Sequence, residues 1–157
     1  MLSAEALRNI DREIAKFPAE RRRSAVIAAL AIAQDEKGWL STEVMDFVAQ
    51  LLEMPPIAVY EVASFYEMYN LTPVGKYKIT LCTNLPCALS GANATAEFLK
   101  HKLGITFNQT TADGRVTLKE GQCFGACGDA PVFLLNNKKM YGTMSPEKTE
   151  QFLTELD

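Results

Sequence analysis

Apolar residues recur three and four positions apart along the first half of the chain. Leu7, Ile10, Ile14 and Phe17 keep that spacing, Ser3 stands ahead of them as a cap and Pro18 closes the run, which predicts an amphipathic helix. A second helix is predicted over 19–37, where Val26, Ile27, Leu30 and Ile32 sit among alanines and Gly38 supplies a left-handed stop. Ser41 or Thr42 caps a third through Val44, Val48, Leu51 and Leu52. The Pro55-Pro56 pair breaks it, and proline in a first turn suits a fourth helix over Pro56–Phe65. Residues 1–72 are therefore expected to form an N-terminal helical bundle. Tyr60, Phe65, Tyr66, Met68 and Tyr69 crowd its end. Packing the helices against the rest of the chain is one use for such residues, and seating a partner is another, because aromatic side chains and Met are enriched at interface cores.

After the break at 71–75 the period changes. Residues 76–81 alternate polar and apolar, the signature of a strand, and deliver Cys82 at its end. A helix is predicted over 88–103 with Phe98, Leu99 and Leu103 facing inward and Gly104 as its stop, then a short strand over 105–107. Asp113-Gly114 turns into an alternating strand over 115–120 that leads to Cys123. Residues 131–135 read as an apolar strand that Asn136-Asn137 folds back through 138–141 as a hairpin. Ser145 caps a last helix with Pro146 at its first position and Glu147 and Glu150 early in it. A strand, a helix, a run of further strands and a last helix fit a thioredoxin-like α/β domain, expected over 73–157, and Ala130-Pro131 before a strand is a place for a cis bond in such a fold.

Composition changes this picture little. With 48% hydrophobic and 22% charged residues the chain of 157 is of ordinary globular type. No apolar run approaches the length of a membrane span, and the alanine-rich stretch 25–33 is too short for one. A net charge of -3, with no basic stripe interleaved with aromatics, argues against a nucleic-acid partner. Arg21-Arg22-Arg23 is the local exception, either a solvated helix start or a docking patch. The start of the chain lacks a basic, acid-poor leader, which points to a cytoplasmic bacterial protein or a processed form. The single histidine, His101, lies between two lysines on a predicted helix and reads as a surface residue.

The candidate chemistry is in the cysteines. All four lie in two spaced pairs, Cys82 and Cys87 in a C-x4-C loop and Cys123 and Cys127 in a C-x3-C loop. Four thiolates can hold a tetrahedral metal or the two irons of a 2Fe-2S cluster. Structural zinc stays open on spacing alone, whereas two disulfides suit a smaller secreted chain. Gly125, Ala126 and Gly128 let the backbone approach an anionic centre with its N–H groups, and Ser90, Gly91 and Ala92 are expected to do the same after the first pair. There is no C-x-x-C pair for thiol-disulfide chemistry, no G-x-G-x-x-G after a strand and no P-loop, so no catalytic residue is assigned and nucleotide or flavin binding by this chain is not expected.

The segments around Cys82 and Cys87, the run Gly121-Gln122-Cys123-Phe124-Gly125-Ala126-Cys127-Gly128-Asp129-Ala130-Pro131 and Val62-Ala63-Ser64-Phe65-Tyr66 closely resemble the small 2Fe-2S subunit of respiratory complex I, the NADH:quinone oxidoreductase. Related subunits of NAD-linked hydrogenases and formate dehydrogenases share the pattern. The resemblance implies an N-terminal helical bundle followed by a thioredoxin-like 2Fe-2S ferredoxin domain, with Cys82, Cys87, Cys123 and Cys127 as cluster ligands. It further implies a partner subunit that binds FMN and NADH, a further iron-sulfur subunit of the peripheral arm, and a place at the cytoplasmic face of the bacterial inner membrane. The chain would then exchange one electron with the partner's FMN and catalyse nothing by itself.

Overall fold

The structure, a computed structural model, describes residues 1–156; Asp157, the last position of the second predicted domain, lies outside the described residues. The chain folds as two compact units, Met1–Pro73 and a second that begins at Val74.

The first unit is helical. In α1 (Ala4–Ile14) the Ser3 hydroxyl oxygen accepts the Ala6 N–H, and Ile10 is fully buried with Leu7 and Ile14 packed beside it. The helix stops short of Phe17, which is exposed: the N–H groups of Lys16 and Phe17 turn back to Glu13 and Ile14 in a tighter winding ahead of Pro18. The single helix expected over 19–37 is two pieces, a 3₁₀ segment Ala19–Ala25 and α2 (Val26–Lys37). The first piece buries only Ala25, so no apolar face draws it into an α-helix. Within it Arg22 reaches the Glu53 carboxylate and the Leu51 carbonyl, both at 2.6 Å, while Arg21 and Arg23 are exposed. In α2 the buried positions are Val26, Ala29, Leu30 and Ala33, which leaves Ile27 outside. Ile32 packs partly buried against the same core.

Gly38 ends α2 at φ 80, Ser41 caps α3 (Thr42–Leu52) by accepting the Val44 N–H, and α4 spans Pro56–Phe65 as its prolines direct. A strap then returns over α2. Gln34 accepts the Asn70 N–H and donates to the Met68 carbonyl, and the buried Tyr69 hydroxyl donates to the Ile27 carbonyl at 2.7 Å. Burial pushes the Tyr69 hydroxyl up to about 12, so it stays a donor throughout the working range. Of the five residues crowded at the end of this unit, Tyr69 belongs to the core, whereas Tyr60, Phe65, Tyr66 and Met68 are exposed.

The second unit is a five-stranded sheet in the order β2-β3-β1-β4-β5. β1 (Tyr77–Cys82) and β3 (Val116–Gly121) are parallel, and β2 (Gln109–Thr110), β4 (Phe133–Leu135) and β5 (Lys139–Tyr141) pair antiparallel. Ile79, Leu81, Leu118 and Phe133 meet Ala96 and Leu99 of α6 (Ala92–Leu103) and Phe152 of α7 (Pro146–Thr154) in one core. Phe133, Tyr141 and Phe152 form a ring trio with centroids 4.8–5.5 Å apart. The strand expected over 105–107 is absent: Ile105 and Phe107 pack on the core, and Asn108 at φ 64 breaks the extension before β2. The helix expected over 88–103 is split by Gly91 at φ 100 into α5 (Leu85–Leu89) and α6. Asn136 and Asn137, at φ 52 and 58, make the hairpin turn, Ser145 caps α7, and the Ala130-Pro131 bond is cis.

Glu36 gives the first unit a defined response to acid. Hydrogen bonds from the Ser3 hydroxyl, from Lys37 and from the Ser3 N–H hold its carboxyl at about 2, against an ordinary value of 4.5. A depressed carboxyl stabilises the fold above its unfolded value, and that contribution is lost as pH falls from about 4.5 through about 2. Urea unfolding at pH 6 and pH 3 should show wild type losing more stability between the two than Glu36→Gln; equal losses would contradict the assignment.

Candidate functional site

Three chain segments meet at one end of the sheet. The parallel β1 and β3 strands end level with each other, since Cys82 pairs with Gly121, and both first and second cysteine loops therefore leave from the same edge. This is where parallel strands present ligands, beyond their carboxyl ends. β4 runs the other way, so its beginning arrives at the same edge: the Cys82 N–H donates to the Val132 carbonyl at 3.1 Å. Cys82, Cys87, Ala92 and Val132 form a small buried cluster with Phe124, Ala126 and Ala130 against it, apart from the main core.

Within this cluster Cys82 and Cys87 are each 2% exposed and their side chains hydrogen-bond to each other. Cys123 and Cys127 are exposed, and no disulfide links any of the four. Burial pushes the Cys87 thiol up, the hydrogen bond with Cys82 adds to the shift, and the charges of Cys82 and Cys127 add a little more; the Val132 N–H, aimed at the same sulfur, pulls the other way. Cys127 is therefore near the first pair. Cys123 stands at the start of its loop, where the Gly125 N–H reaches its Sγ at 3.4 Å. Among the described residues, no three His, Cys, Asp or Glu side chains meet closely enough to hold one metal ion.

The second loop is held from below. A Cβ on Gly121 would come within 2.6 Å of the Phe124 Cζ and 2.7 Å of the Thr80 Cγ2, so only glycine lets the Phe124 ring tuck under the loop. The Thr143 N–H donates to the Asp129 carbonyl at 2.6 Å and the Met144 N–H to the Pro131 carbonyl at 2.9 Å, which fastens the loop's far end. The first loop is clipped to β3 by Thr83, whose hydroxyl donates to the Glu120 carboxylate at 2.7 Å. The sequence singles out all four cysteines and Gly125, which the two loops carry to this end of the sheet. It does not place the N–H groups of Ser90 and Gly91, which bond to the carbonyls of Pro86, Cys87 and Ala88 instead of facing sulfur. It also misses Val132, whose contribution is a backbone group that leaves no mark on residue type, and the Thr83–Glu120 clip, which joins residues 37 apart in sequence.

The model of the thioredoxin-like [2Fe-2S] ferredoxin family matches residues 10–157. The chain belongs to that family. It is 43% identical over 143 residues, 90% of its own length and 85% of the relative's, to a subunit of the NADH-quinone oxidoreductase of Rickettsia felis. It is 37% identical over 153 residues to the mitochondrial NADH dehydrogenase [ubiquinone] flavoprotein 2 of Dictyostelium discoideum, covering 97% of this chain and 62% of that one. Among solved structures it resembles the NAD+-reducing [NiFe]-hydrogenase in the H2-reduced state at a TM-score of 0.70 and 22% identity, over 81% of this chain and 22% of that one, a likeness of fold. Membership of the family makes this an electron-transfer protein of the 2Fe-2S type, and the donor set fits such a group. Four sulfur donors, two of them desolvated, are a costly assembly of potential negative charge that cationic irons offset.

Gly121→Ala is expected to keep the sheet but displace Phe124 and the loop it carries. Protein loaded with the cluster should lose its visible absorption several times faster than wild type during exposure to a chelator; an unchanged rate would show that the loop does not need the glycine.

Proposed function

We propose that the chain is the 2Fe-2S subunit of an NADH:quinone oxidoreductase, holding its cluster through Cys82, Cys87, Cys123 and Cys127 and exchanging one electron with FMN in a partner subunit. The observation that carries this is the convergence of the two cysteine loops on the shared end of β1 and β3, beside Val132. A bound 2Fe-2S group supplies reversible one-electron storage. The chain's own residues bind it by sulfur, aim the Gly125 and Val132 N–H groups at sulfur, and keep water from one side with Ala92, Val132 and Phe124. The names of the relatives, an NADH-quinone oxidoreductase subunit and an NADH dehydrogenase flavoprotein, support the assignment to a respiratory NADH dehydrogenase.

Residues 1–72 act in this proposal as the docking domain and 73–157 as the cluster domain. Ile57 and Phe65, 64% and 78% exposed, with Tyr60 beside them, are the apolar side chains offered to the flavin- and NADH-binding subunit. A further iron-sulfur subunit of the peripheral arm is the second neighbour, and the assembly lies at the cytoplasmic face of the inner membrane. No helix among the described residues is long and apolar enough to cross a membrane. The equivalent subunit of a NAD-linked hydrogenase or formate dehydrogenase is the second assignment, favoured by the fold likeness to the hydrogenase.

Two experiments test the proposal. Purified with its native partners, the cluster should be reduced on addition of NADH, with a new paramagnetic signal, and should stay oxidised when the flavin subunit is removed; reduction by NADH without that subunit would refute the partner assignment. Cys127→Ala should lose most of its iron while the helical unit keeps its far-UV circular dichroism. A full cluster spectrum in that variant would remove Cys127 from the ligand set.

A further inference from the structure

Asn84 occupies the N-cap position of α5, where an Asn side chain ordinarily accepts a backbone N–H of the first turn, yet here it makes no capping hydrogen bond. One of the usual donors is missing, because Pro86 stands at the second helical position and has no N–H. The carboxamide turns the other way. Its Nδ2 lies 4.0 Å from the Cys82 Sγ, at the outer limit of a hydrogen bond to sulfur. Asn84 is half-buried, so the contact is partly shielded from water. It is held there by its neighbours: Thr83 is clipped to Glu120, and the Asn84 carbonyl accepts the Ala88 N–H at 2.9 Å.

We propose that Asn84 is a positioning residue that donates from its carboxamide to the Cys82 sulfur and sets the reduction potential of the bound centre. The inference rests on the iron-sulfur assignment above. A thiolate is a stronger acceptor than the thiol, and a donor to a ligand sulfur favours the reduced form, which carries one more negative charge. Removing the donor therefore lowers the potential. An N-cap that has given up capping loses local helix stability, and the contact with sulfur is what that sacrifice serves.

The test uses the full chain carrying its cluster, with Asn84→Ser and Asn84→Asp. Serine restores an N-cap but is too short to reach Cys82, and aspartate keeps the shape while replacing the N–H donor with a charged acceptor. Potentiometric titration followed by EPR should give both variants a lower midpoint than wild type, with Asp the lower. The expected size is a tenfold smaller ratio of reduced to oxidised centres at a fixed potential, equivalent to about 59 mV for one electron. Iron and sulfide content equal to wild type would accompany the shift. A wild-type midpoint in both variants overturns the proposal. If a variant fails to load, wild-type protein labelled with 15N in the asparagine side-chain amide decides the matter: pulsed EPR of the reduced cluster should show a coupled 15N, and its absence overturns the proposal. Wild-type protein without two irons and two sulfides would refute the iron-sulfur assignment itself, a separate outcome that the metal analysis detects before any titration.

Discussion

The parallel pairing of β1 with β3 fixes where every sulfur can be. Tyr77 opposite Val116 and Cys82 opposite Gly121 set the register, and the two loops that carry the thiols leave the sheet side by side as a result. A slip of one residue would send Ile79 and Leu81 to the other face and out of the core they share with Leu99 and Phe152. The hydrophobic core of the second unit thus holds the site's geometry from beneath the cysteine loops. Antiparallel β4 completes the edge by bringing Val132 against both Cys82 and Cys87.

That edge is electrostatically demanding. Two sulfurs are buried beside Ala92 and Val132, and burial already pushes the Cys87 thiol up. Ionising these thiols with no compensating cation would leave negative charge in an apolar setting, which costs several kcal/mol per group in typical proteins. A bound 2Fe-2S group, whose irons are cationic, offsets that cost. The exposed Cys123 and Cys127 ride on a loop fastened by Phe124 over Gly121 and by Thr143 and Met144 beyond. One half of the donor set belongs to a buried cluster and the other to the surface.

Much of this was legible in the sequence. The spaced cysteines, the alternation of 76–81 and 115–120, the Asn136-Asn137 turn and the Ser145 cap each carry a local cause that the fold obeys. The failures have physical causes as well. The predicted helix over 88–103 overlooked that Gly91 could take a left-handed conformation in the middle of an otherwise helical pattern, and the predicted strand over 105–107 took apolar residues for a strand when they pack on the core from a loop. In α2 Val26 and Leu30 are buried together with Ala29 and Ala33, whereas Ile27, which the sequence names beside them, is exposed. At the site, backbone donors such as Val132 and long-range pairs such as Thr83 with Glu120 have no local signature. Asn84 looks like an ordinary cap until the geometry shows where its amide points.

The account stands on two metals shared by four thiolates, and metal and sulfide analysis of anaerobically purified protein, with EPR before and after reduction, tests it most directly. About two irons and two acid-labile sulfides per chain, with a paramagnetic state that appears only on reduction, is the predicted result. A single zinc per chain and no EPR signal in either state would contradict it, and the paired thiols would then be a structural metal site.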